Sequence, residues 1–100
     1  MAQLITLQEA QELTFAYQDS AMALNQTIAT SVDKNSILNL LNQTDCDGMR
    51  MYFGLDENNK LTLVIVGINS LGNDMTSGQL LDRLGDCPPF CDSSSSLIQQ

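Results

Sequence analysis

Cys46, Cys87 and Cys91 are the side chains of this 100-residue chain best suited to soft-metal or redox chemistry, because thiolates are the nucleophiles and soft ligands of proteins. Cys87-Pro88-Pro89-Phe90-Cys91 has three intervening residues where zinc knuckles have two. An extended path through the prolines, at about 3.1 Å per residue, sets the two cysteines ~12 Å apart, beyond disulfide reach. Only a tight turn at Pro89-Phe90 or a cis proline would bring the sulfurs together. Three is also an odd number, so the expectation is reduced thiols that fill space, with metal or redox use as the alternative. A second cluster is built of oxygen. Asp45, Asp47 and Gly48 enter one predicted strand, while Asn69, Asn73 and Asp74 leave the next. Asp45, Asp47 and Asp74 could hold Ca²⁺ or Mg²⁺ from two loops, although the other EF-hand positions are missing and these residue types also build ordinary turns. Arg50 lies close enough to neutralise one of these carboxylates as a local ion pair.

Other chemistry is poorly supplied. The chain contains no histidine, which removes the commonest general base and imidazole zinc ligands. Twelve acidic residues against four basic ones give a net charge of −8, unsuited to a phosphate backbone, so no nucleic-acid partner is expected. Gly67 to Gly72 lacks the Gly-Lys-Ser/Thr of a phosphate loop. Asp56 and Glu57 share a turn, where they read as solvated charges rather than an acid-base pair. Tyr52 reads as a packed cross-strand aromatic. No cofactor is implied. Apolar runs are too short to span a membrane, and the opening residues lack a basic stretch followed by an apolar one, so the cytoplasm is the expected location.

The elements that must position these residues suggest one α+β domain over 1–91 and a flexible Ser-rich tail over 92–100. Thr6 and Glu9 form a capping box, so a long N-terminal helix starts at Leu7. Its stripe of Ala10, Leu13, Thr14, Tyr17, Ala21, Leu24 and Ile28 is the predicted core face, leaving Phe15 and Met22 on a second apolar line. Residues 28–32 are open between helix end, linker and strand. Asp33 caps a short second helix that stops near Asn42, and 43–48 read as a loop. From Met49 the pattern alternates, and residues 49–55 and 61–68 form an antiparallel hairpin around the polar turn 56–60. Leu55 then faces Leu61, Phe53 faces Leu63, Met51 faces Ile65, Tyr52 faces Val64 and Arg50 faces Val66. A lone hairpin would not suffice, so at least one further strand joins the sheet; residues 79–84 are open between helix and strand.

Arg50-Met-Tyr-Phe-Gly-Leu-Asp56, Lys60-Leu-Thr-Leu-Val-Ile-Val-Gly67, Gly72-Asn-Asp74 and Cys87-Pro-Pro-Phe-Cys91, in that order, resemble the core of a family of small, uncharacterised bacterial proteins. The match covers roughly residues 44 to 91. The resemblance implies a shared fold, and it brings no catalytic or binding role to any residue.

Both faces of the hairpin are apolar. The Met49, Met51, Phe53, Leu55 face can take the helices; Tyr52, Val64, Val66 and Ile68 need another cover, either segment 75–91 or a second subunit. With Phe15 and Met22, the residues Tyr52, Val64 and Val66 form the predicted interface. The expectation is therefore a non-enzymatic interaction module, a homodimer or an acidic partner of another protein. Cation binding at 45–48 and 69–74, cysteine-metal binding and a small carboxylate enzyme are the alternatives.

Overall fold

The computed structural model describes residues 1–23 and 25–99, without the side chains of residues 21–23. Helix α1 (Leu7–Ala23) opens on the predicted capping box. Thr6 Oγ1 accepts from the Glu9 amide at 3.0 Å, and Glu9 Oε1 accepts from the Thr6 amide at 3.1 Å, satisfying two otherwise orphaned donors. Helix α2 (Lys34–Leu41) starts where Asp33 accepts from the Ser36 amide at 3.1 Å. Five strands accompany these helices: β1 (Ala29–Ser31), β2 (Cys46–Leu55), β3 (Leu61–Asn69), β4 (Leu80–Leu81) and β5 (Gly85–Cys87). The α+β class holds, and both segments left open in the sequence, 28–32 and 79–84, contribute short strands.

The hairpin has the predicted register, from Leu55 opposite Leu61 to Arg50 opposite Val66. Its turn is set by Asp56, whose Oδ1 accepts from the amides of Asn58 and Lys60 at 2.8 and 3.0 Å. Asn59 takes a positive φ of 60°, a conformation that Asn tolerates well. Two boundaries differ from expectation, β3 running one residue further, to Asn69. β2 begins at Cys46, not Met49, because Cys46 already pairs with Asn69 and a bulge between Cys46 and Gly48 interrupts the alternation from which a strand is read. β4 pairs antiparallel with β3, giving the order β2-β3-β4, and β1 pairs antiparallel with β5 in a separate two-stranded sheet.

The core is small. Among the described residues Leu40, Ile65, Val66 and Cys87 are its buried hydrophobic residues, with Leu40 of α2 fully enclosed. α2 packs on β2 and β3, whereas the described residues of α1 make little contact with either sheet. The predicted core face of α1 is therefore corrected: Leu13 is 67% exposed, and Leu7 and Tyr17 are also open. Ala10 and Thr14 add little apolar area between the larger residues, and the helix is held instead by polar contacts with the chain's end. Gln18 is buried, donating from Nε2 to Leu97 O at 2.9 Å and accepting from the Gln99 amide at 2.8 Å. Thr14 donates to Leu97 O, and Gln11 to Ser96 O. The Ser-rich segment thus lies along α1. Leu24, and the side chains of Ala21 and Met22, fall outside the description.

Candidate functional site

β2 is an edge strand, with β3 as its one strand neighbour among the described residues. On the face expected to receive the helices, Met51 is 48% exposed, Phe53 79% and Leu55 66%. That expectation holds in part: α2 packs on β2 and β3, Met49 is half-buried and Ile65 and Gly67 are buried, but α2 is only eight residues long and leaves the half towards the turn open. A groove of about 550 Å³ continues this apolar surface, lined by Tyr17, Ile28, Ala29, Phe53, Leu61 and Leu63. Tyr17 donates its phenol proton to Thr27 O at 2.7 Å, which fixes one wall of the groove.

The opposite face is better covered than the sequence suggested. Val66, paired in the sheet with Leu80 of β4, is buried and Ile68 is half-buried, whereas Tyr52 and Val64 stay partly exposed. Phe15 is half-buried on α1. Sequence reasoning missed Met51, Phe53 and Leu55 as candidate interface residues.

At the open end of the hairpin Asp74 forms an isolated bridge with Ile68, across β3 from β2. Arg50 Nη1 reaches it at 2.5 Å, giving the ion pair expected from the sequence, and Tyr52 donates its phenol proton to the other carboxylate oxygen. The Tyr52 bond and, after it, the Arg50 charge hold the Asp74 carboxyl below its ordinary value. The same bond pushes the Tyr52 phenol up, because a neighbouring carboxylate disfavours a phenolate. Asp45, with a positive φ of 68°, and Asp47, in the bulge, are exposed and do not join Asp74. Among the described residues, no three His, Cys, Asp or Glu side chains converge as a metal-holding group.

At the turn end a second charged knot gathers around Arg83, which lies within 3.4 Å of Asp56 and 3.1 Å of both Asp82 and Asp86. Asp56 is a half-buried anchor rather than the solvated charge expected. Backbone N–H groups, led by that of Lys60, lower its pKa, with Arg83 assisting. Asp82 is lowered chiefly by the Arg83 amide and guanidinium.

The expectation of three reduced thiols is also corrected. Cys87 and Cys91 form a disulfide with a Cα–Cα distance of 4.7 Å. The path between them is folded, not extended: Cys87–Pro88 and Pro88–Pro89 are both cis, Phe90 N donates to Asp86 O at 2.8 Å and Cys91 N to Pro89 O at 3.0 Å. Cys46 is free and half-buried, with Sγ 3.2 Å from Gly48 O. No helix among the described residues is long and apolar enough to cross a membrane. No protein family, curated protein or solved structure significantly matches the chain.

Proposed function

We propose that this chain is a protein-interaction module that works as a homodimer and performs no chemistry of its own. The observation that carries the reading is the open row of Met51, Phe53 and Leu55 on a ten-residue edge strand. Isolated exposed hydrophobic residues are ordinary, but a contiguous row beside an apolar groove marks a contact surface. Area supports the same reading. The chain exposes 7295 Å², whereas a folded monomer of 10.9 kDa exposes about 5,600 Å². The excess, roughly 1,700 Å², is about twice what each partner contributes to a standard interface. Catalysis is less well supported, because the carboxyls with shifted pKa values, Glu9, Asp33, Asp56, Asp74 and Asp82, are all lowered, whereas a general acid at neutral pH needs a raised one.

Light scattering on the native chain tests the reading. A mass near twice 10.9 kDa is expected at high concentration. Each chain carries −8, so salt, by shortening the Debye length from roughly 30 Å at 0.01 M to about 8 Å at 0.15 M, should tighten the dimer. A monomer mass at every concentration and salt overturns the proposal.

A further inference from the structure

The geometry points to an edge-to-edge dimer in which β2 pairs antiparallel with β2 of a second copy, on a two-fold axis at Tyr52. This rests on the interaction reading above and adds the occupant, the surface and the register.

Backbone phase selects the residues that pair. Asp56 N donates to Lys60 O at 2.9 Å at the turn, and Gly67 O is used on the far side of β3 by Met75 N at 2.8 Å. Bonded and non-bonded pairs alternate along an antiparallel ladder. Arg50, Tyr52 and Gly54 therefore direct their main-chain groups to β3, while Met49, Met51, Phe53 and Leu55 direct theirs to the open side. The residues presenting an unpaired edge are thus the ones carrying the apolar row.

The edge also lacks protection. Natural edges are guarded by proline, by charge or by a bulge. Between the bulge at Asp47 and the turn at Asp56, Arg50 is the single charged residue, and Asp74 and Gly72 O draw its guanidinium across the sheet, away from the rim. Seven residues, Met49 to Leu55, remain as a clean edge with Tyr52 at their midpoint.

A two-fold axis at Tyr52 overlaps all seven. Met49 then bonds to Leu55 and Met51 to Phe53, both apolar pairs, while Arg50 faces Gly54 and Tyr52 faces its own copy, so no like charges are opposed. Moving the axis to Met51 preserves the hydrogen-bonding phase but sets Leu55 against bulged Asp47. Moving it to Phe53 sets Met49 against Glu57. The second copy is favoured as occupant because this edge is complementary to itself, as an isologous interface requires, and the chain as a whole exposes more surface, beyond that of a monomer of its mass, than each partner buries in a standard interface.

Single cysteines in a Cys46→Ser background read the axis directly, since a residue meets its own copy closely only at the two-fold. Tyr52→Cys, in the narrow non-bonded pair, should give a covalent dimer on mild oxidation, and Met51→Cys and Phe53→Cys should not. Phe53→Lys should weaken association at least about tenfold, with circular dichroism and thermal melting of the monomer unchanged. Cross-linking through Met51→Cys or Phe53→Cys instead overturns the register. A wild-type dimer that none of the three cross-links, and that Phe53→Lys does not weaken, overturns the edge while leaving the homodimer reading intact; a monomeric wild type removes both.

Discussion

The Asp74 carboxylate accepts from Tyr52 on one oxygen and from Arg50 on the other, binding the loop after β3 to the edge strand β2. The hairpin pattern groups this side chain with Asp45 and Asp47, and it selects the correct end of the molecule for Asp74. The Arg50 ion pair was legible from that placement, whereas the Tyr52 bond and the separation of Asp45 and Asp47 from Asp74 were not, because they depend on which face of the sheet each side chain leaves. Removing the carboxylate has a defined pH signature. A carboxyl whose folded pKa lies below 3.8 contributes stability that is present above that value and is lost as pH falls through the lowered one. Asp74→Asn should therefore be less stable than wild type at neutral pH, and the difference should shrink below about pH 4, as denaturant titrations across pH would show. Tyr52 moves the opposite way: in a Tyr17→Phe background its phenolate absorbance should rise only above pH 10, and Asp74→Asn should bring it back down. A Tyr52 titration unmoved by that substitution contradicts the contact.

The hairpin was the most legible element, because period-two alternation flanking Asp56-Glu57-Asn58-Asn59-Lys60 specifies both the strands and their pairing. Both helix starts were legible for a similar local reason, since Thr6–Glu9 and Asp33–Ser36 satisfy backbone donors within one turn. Docking was not. The stripe on α1 has helical spacing, yet spacing does not say whether anything waits to receive it, and the partner α1 finds is Ser96–Gln99 through Gln11, Thr14 and Gln18. Short strands such as Leu80–Leu81 owe their conformation to the neighbour they pair with, so their own residues carry no signal. Two leucines test this division of labour. Leu40→Ala should cost about 2–5 kcal/mol in urea unfolding, because Leu40 is fully enclosed, whereas Leu13→Ala on the open side of α1 should stay within about 0.5 kcal/mol. Equal costs would mean that α1 packs through the stripe after all.

A radius of gyration of 15.1 Å against the roughly 13 Å typical of a 100-residue domain describes a chain more spread out than its length requires. The charge of −8 opposes association at long range, and the contacts that overcome it must be short-ranged, apolar and backbone-specific. The β2 edge supplies all three features in one place, and its use by a second copy is the claim on which the account turns. Amide exchange of β2 reads it most directly. At concentrations where the dimer forms, the N–H groups of Met51 and Phe53 should be protected like those of Arg50 and Tyr52, and dilution should release Met51 and Phe53, together with Met49 and Leu55, while Arg50 and Tyr52 stay protected. Rapid exchange at Met51 and Phe53 in a sample that light scattering shows to be dimeric would contradict it.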